Sequence, residues 1–386
     1  MQFRMQVNIN NSRDIQKLSL AFGVNAEERK DGTFPVFFRR VRGKKVLFLT
    51  DESTLCFARQ LFELFKAEGV AFSVYTCPSK EPALDEATIE NCGAHVQDAE
   101  YLLAVGSGTL NDLAKYVGSR LRIPSGVYAT APSMDGYTSG VTPVIEKGKK
   151  ITYPAQVASD VLIDYSVLTG APRIMTGAGV GDILAKYTAL SDWKISSLLK
   201  NERFVTQAAA LMRNAVDTCN AGIPAILAGE QAGVKTLMNA LLISGYAMVL
   251  AGNSRPASGA EHHMSHYLEM DFLRRGRSIP LHGIKVGLGT AVSLYLYRTV
   301  KERKDFAGRE IIIKQAEELP SPEDVLNVLR KFDCPTQFSE IGISRDTMRN
   351  MLFEAHLIRD RYTILALYHE NNLMKEAADD ILDRYY

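Results

Sequence analysis

Through the first 165 residues, apolar runs of strand length alternate with segments of helical period, and beyond about residue 172 those runs almost vanish. That change of rhythm constrains the fold more than any other property of the chain. A strand that reads as a nearly unbroken apolar run is one covered on both faces, as in a parallel sheet. Residues 45–50 (KVLFLT) form such a run. Residues 55–68 then place Leu55, Ala58, Leu61, Phe62 and Phe65 on one helix face, and Gly69 stands where a helix cap belongs. Strand signals at 70–75, 101–105 and 125–130 enclose helices over 84–92 and after the glycine turn at 106. Residues 141–157 read as a hairpin with a polar loop at 146–150, and residues 160–164 as a last strand. The pattern predicts an α/β, Rossmann-like N-terminal domain over residues 1–168, with a parallel sheet and right-handed crossovers. Helix-period apolar residues in 204–220, 234–251, 284–304 and 345–368 predict an all-helical C-terminal domain over 169–386.

A chain of 386 residues exceeds what one hydrophobic core ordinarily serves, in keeping with two domains. Its 45 basic and 44 acidic side chains are evenly spread, which points away from a nucleic-acid or membrane-surface partner. Five scattered cysteines without C-x-x-C spacing read as reduced structural thiols of a cytoplasmic protein. The N-terminus lacks an apolar signal-like stretch, and no unbroken apolar run of about 18 residues occurs. A soluble, intracellular protein is expected.

The histidines are unevenly placed. Of seven, three fall at His262, His263 and His266, and His282 follows sixteen residues after His266. A helix turns once per about 3.6 residues, so His262 and His266 share a face. Neutral imidazoles gathered in one place commonly bind a transition metal. The spacing is not H-E-x-x-H, which excludes the zinc-protease reading. Asp182, at the start of a probable helix in GAGVGDILAK, offers a hard oxygen ligand or a helix-end acid complementing the dipole. Lys186, one turn later, either pairs with it or meets an anion. His95, His356 and His369 have no such neighbours and read as structural.

Phosphate chemistry has its own candidates. The turn Gly106, Ser107, Gly108, Thr109, Leu110 follows a strand and opens a helix, whose N-terminal N–H groups suit a pyrophosphate. Asn111 takes the place of the third glycine of G-x-G-x-x-G. Asp51, just after the first strand, is placed to accept hydrogen bonds from an adenosine ribose, or to cap the next helix. The stretch 130–140 (TAPSMDGYTSG) follows another strand, where open α/β sheets bind ligands, and makes Asp135 and Ser139 contact candidates beside an ordinary turn reading. Arg255, ahead of the histidine helix, is either a bidentate phosphate clamp or an exposed loop residue.

Taken in order, GSGTLNDLAKY, TAPSMDGYTSGV, GAGVGDILAKYTALSDW, SRPASGAEHHMSHYLE and LHGIKVGLGTA resemble the bacterial branch of the sn-glycerol-1-phosphate dehydrogenases. These belong with the iron-containing alcohol dehydrogenases, glycerol dehydrogenases and dehydroquinate synthases. The resemblance implies a dehydroquinate synthase-like fold, with a dinucleotide domain, a helical domain and a metal in the cleft between them. It implies Asp182, His262 and His282 as metal ligands, and Asp135, Asp182 and His266 as substrate contacts, with His266 and Asp182 acting in catalysis. It implies that Gly106–Leu110, Thr130, Ala131, Pro132, Ser133 and Ser139 touch NAD(H) or NADP(H). Two positions depart from the family pattern: His263 replaces an apolar residue, and GSGT replaces a triple-glycine turn. The expected reaction is reduction of dihydroxyacetone phosphate to sn-glycerol 1-phosphate by a homodimer, with nickel, zinc or iron as the divalent ion. The SRPASGAEH segment sets this apart from a glycerol dehydrogenase acting on an unphosphorylated polyol. Asp182, where the cyclases carry Glu, sets it apart from a sugar-phosphate cyclase lyase. A catalytically silent, NAD-sensing protein is the reading from a different class.

Overall fold

The computed structural model describes residues 7–79, 82–147 and 149–386. Among the described residues the eight strands are β1 (Asn25–Glu28), β2 (Val46–Asp51), β3 (Phe72–Cys77), β4 (Tyr101–Gly106), β5 (Ser125–Ala129), β6 (Val141–Glu146), β7 (Lys149–Pro154) and β8 (Asp160–Ile163). Among the described residues, six of them form one sheet in the order β1-β8-β5-β4-β2-β3, and every neighbouring pair is parallel. β6 and β7 form the separate antiparallel hairpin that the polar loop predicts. Every residue of β2, β4, β5 and β8 is buried, which is why these strands read as apolar runs. Phe48 of β2 stacks edge-on against Phe65 of the Leu55–Ala67 helix at 4.7 Å between ring centres, anchoring one face of the sheet.

The chain divides into two compact units. The first holds the residues up to Pro172 together with Pro224–Tyr246, and the second holds Arg173–Ile223 and Ala247–Tyr386. Past β8 the described residues form helices and loops without strands. The Gln231–Ala251 helix passes from one unit to the other between Tyr246 and Ala247. By length and mean hydropathy (1.5) it would suit a membrane span, yet 83% of that window is buried within the protein, as in a core helix. The five cysteines are free thiols.

Two parts of the fold differ from expectation. The first 44 residues contribute a helix (Ser12–Ala21), strand β1 and a helix (Pro35–Val41) that carry little sequence signal. The helical period over 345–368 is broken: Arg345–Glu354 and Ile364–Glu370 are separate helices, with a turn at Ala355–Leu357 and loop residues 358–363 between them. The break has a local cause. Thr363 caps the later helix, and the buried Asp192 carboxylate takes the Ile364 N–H at 2.8 Å.

Candidate active site

In the first unit, neighbouring strands end at the residues singled out for the cofactor. β2 ends at Asp51, β4 at Gly106, and β5 runs into Thr130, whose N–H donates to the Gly106 carbonyl at 3.1 Å. Strand order reverses between β2 and β4, since β3 lies on one side and β5 on the other. Such a switch point, at the carboxyl ends of the strands, is where open α/β sheets take their ligands. Gly108 begins the Gly108–Leu121 helix, so unpaired N–H groups lie at that end. Asp51 already serves as a local cap: its Oδ1 accepts from the Thr54 N–H at 2.7 Å and the Thr54 hydroxyl at 3.0 Å.

The loop carrying Ala131, Pro132, Ser133, Asp135 and Ser139 is braced from beneath. Lys115, wholly buried on the Gly108–Leu121 helix, donates to the Gly136 carbonyl (3.0 Å), Ser139 Oγ (2.9 Å) and the Val141 carbonyl (2.9 Å). Asp112 Oδ1 lies 3.2 Å from the same ammonium. Burial lowers the pKa of Lys115, and Asp112 opposes that shift. Asn111, in the position of the missing glycine, donates to the Gly136 carbonyl at 3.1 Å. Asp135 accepts from the Ser244 hydroxyl at 2.6 Å, and Tyr137 donates to the Ala131 carbonyl at 2.5 Å. Lys115→Met would remove three hydrogen bonds that brace this loop and leave the Asp112 carboxylate without the ammonium. It should cost about 3 kcal/mol of stability, seen as a lower urea midpoint at unchanged slope, and should raise the KM for the dinucleotide.

The second unit assembles the predicted metal ligands. Asp182 lies on the Arg173–Leu184 helix, His262 on Ala260–Arg274, and His282 opens His282–Thr299. Their ligating atoms all fall within 4.8 Å of one another. Close helix approach produces this convergence. A side chain at Gly283 would overlap the Ala178 carbonyl, and one at Gly289 would sit 2.7 Å from the Glu261 carbonyl oxygen. Backbone therefore touches backbone beside each ligand.

The chemistry of the donor set suits a divalent ion. His262 is buried, and its Nδ1 lies 2.9 Å from Glu261 Oε1, leaving Nε2 turned toward Asp182 Oδ1 at 3.8 Å. Burial, and after it the nearby Lys186 charge, push the His262 pKa well below the usual range, so the imidazole is neutral, as a ligand must be. Asp182 also accepts from Lys186 Nζ at 2.6 Å, both groups being fully buried, and Lys186 donates to the Ala257 carbonyl at 3.2 Å. One carboxylate and two imidazoles fit zinc, nickel or ferrous iron.

A family model described as iron-containing alcohol dehydrogenase matches residues 26–172. A glycerol-1-phosphate dehydrogenase [NAD(P)+] from Bacillus licheniformis is 35% identical over 361 residues, covering 92% of this chain and 89% of the relative. The chain belongs to the glycerol-1-phosphate dehydrogenase family. An archaeal member from Methanosarcina mazei is 36% identical over 285 residues, covering 74% of this chain and 72% of its own. In fold, the chain is similar to the NADH-dependent butanol dehydrogenase A of Thermotoga maritima, with a TM-score of 0.67, 15% identity, and 94% and 96% of the two chains covered.

Several residues around this candidate site went unnoticed in the sequence. Glu261 accepts from the Gly259 N–H (2.6 Å), the Thr188 hydroxyl (2.7 Å) and His262, and so fixes the ring of a ligand. Burial raises its pKa and that of Asp192, which caps the Ala260–Arg274 helix at the Ala260 N–H (2.7 Å). Glu269 lies 3.1 Å from His266 Nδ1 and 3.6 Å from His282 Nδ1, with Lys285 Nζ at 3.5 Å. Its place three residues after His266 was the available signal, since i and i+3 share a helix face. Arg255 does not join the metal set. It is buried, and its guanidinium fork grips Glu202, with Nε to Oε1 at 2.7 Å and Nη2 on Oε2, while Nη1 donates to the Tyr362 carbonyl at 3.1 Å. Arg255, read in the sequence as either a phosphate clamp or an exposed loop residue, is thus buried with its fork on a carboxylate. Glu261→Gln should weaken metal binding by about 10–100-fold, measured by competition with a chromophoric chelator.

Proposed function

We propose that the protein reduces dihydroxyacetone phosphate to sn-glycerol 1-phosphate with NADH or NADPH. The observation that carries this reading is the convergence of Asp182, His262 and His282, in a chain whose relatives share both length and sequence with it. A divalent ion held by those three side chains would supply the Lewis acidity that offsets negative charge developing on the C2 oxygen. The reduced nicotinamide would supply the hydride. The glycine turn at Gly106–Gly108, with the braced loop from Thr130 to Ser139, supports cofactor binding by offering helix N–H groups at the sheet's switch point.

His266 is the proton donor in this reading. Its Nε2 lies 3.4 Å from Arg359 Nη2, and a guanidinium has no acceptor, so Nε2 accepts and Nδ1 carries the resting proton toward Glu269 Oε2. In this reading His266 relays a proton from solvent to the product oxygen, with Glu269 beside its ring. Asp135 and Asp182 complete the proposed substrate contacts. Nickel is the proposed ion, ahead of zinc and iron. The working form is a cytoplasmic homodimer.

Oxidation of NADH and NADPH in the presence of dihydroxyacetone phosphate, with the chirality of the product assigned, tests the reaction. The sn-1 product is expected. The sn-3 enantiomer, or a preference for unphosphorylated glycerol, would reject it.

A further inference from the structure

With Arg255 committed to Glu202, the proposed substrate's phosphate needs another partner, and the broken helix supplies one. The Arg361 N–H donates to the Arg359 carbonyl at 2.8 Å, a tight turn that sets the two arginines side by side. Both are half-buried, and Asp360 between them is exposed. Arg359 reaches His266, whose ring centre is 6.4 Å from those of both His262 and His282. Arg361 donates to the Ser258 carbonyl at 3.4 Å and the Ser254 hydroxyl at 2.9 Å. Lys186, the partner of Asp182, donates to the adjacent Ala257 carbonyl. The two arginines therefore flank the metal ligands from the side of the 254–259 loop.

Glu269 acts on Arg359, whereas Arg361 lacks a dedicated counter-charge. Arg361 has no carboxylate within ion-pair distance among the described residues. The acids whose charge it feels are Glu202 and Glu261. Glu202 is engaged by Arg255, and Glu261 by Gly259, Thr188 and His262. His263 is an independent sign of an unfilled polar site. It is fully buried, neither ring nitrogen has a partner, and it feels the guanidinium charges of Arg361 and Arg359. The Ser258 hydroxyl is likewise buried and unpartnered. A dianion with several acceptor oxygens would satisfy these donors together, and a neutral polyol would not.

We infer that Arg361 and Arg359, with His263 and Ser258, form the subsite for a phosphate monoester and so select phosphorylated over free trioses. This rests on the proposed reaction for its substrate, although the anion site can be probed without it. In Arg361→Lys and Arg361→Ala, the ratio of kcat/KM for dihydroxyacetone phosphate to that for dihydroxyacetone should fall by about 100-fold, with the loss carried mainly in KM. Inorganic phosphate should bind the wild-type holoenzyme in calorimetry, and at least about ten times more weakly in Arg361→Lys, where the fork geometry is lost but the charge is kept. An unchanged substrate ratio, or phosphate binding untouched by Arg361→Lys, would overturn the subsite. Failure of the wild-type protein to turn over dihydroxyacetone phosphate, with phosphate binding still dependent on Arg361, would instead reject the reaction and leave the subsite standing.

Discussion

His262→Ala should lose the bound divalent ion and lower kcat/KM by about 1,000-fold or more, because several kcal/mol of charge stabilisation depend on it. His262 is the ligand whose geometry is most fully determined. Glu261 holds its Nδ1, the ring is buried, and the remaining nitrogen faces Asp182. The substitution is cleaner than one at Asp182, whose removal would leave the buried Lys186 ammonium without its carboxylate and would by itself destabilise the fold. His266→Ala serves as the contrasting variant. It should keep the ion and lose turnover, since His266 is assigned to the proton rather than to the metal. Metal content by elemental analysis, set beside steady-state kinetics, separates the two. Equal metal loss in both variants would contradict the division of roles.

Gly283→Ala should be the most damaging single methyl group in the second unit. The added carbon would overlap the Ala178 carbonyl, which is backbone and cannot rotate away. The Arg173–Leu184 and His282–Thr299 helices would have to separate. Overpacking of this kind costs about 3 kcal/mol when the neighbour cannot yield. The same separation would move His282, the residue before Gly283, away from Asp182 on the facing helix. Stability and metal affinity should therefore fall together, seen as a lower melting midpoint and a weaker apparent metal constant. A variant that melts like the wild type would show that the two helices are less tightly apposed than described.

The fold was legible where burial is two-sided. β2, β4, β5 and β8 are apolar because both faces are covered, and the glycine turns mark their ends. β1 was not legible, and its chemistry explains why. Its sequence is NAEE, and the buried Glu27 takes the Val36 and Phe37 N–H groups at 2.8 and 2.7 Å, so a carboxylate in the sheet caps the start of the Pro35–Val41 helix. Asn25 pairs with Asp160 at 2.9 Å on the neighbouring strand. A strand that buries polar side chains against specific partners shows neither alternation nor an apolar run.

The candidate site divides in the same way. His262 and His282 stood out because a scarce residue type recurs at short spacing, and the family resemblance tied Asp182 to them. Arg359 and Arg361 lie about a hundred residues further on, in a segment whose period reads as helix, and only tertiary packing brings them to the histidines. Arg255 shows the converse: a loop arginine beside the motif drew attention, while its partner Glu202 was too distant in sequence to be seen.

Anomalous diffraction from crystals of the protein, purified without chelators and recorded at the absorption edge of the ion found by elemental analysis, tests the central claim most directly. One strong peak per chain is expected, in direct contact with the Asp182 carboxylate, His262 Nε2 and the His282 ring. A peak held by other residues, or a fully active enzyme with no peak at this place, would contradict it.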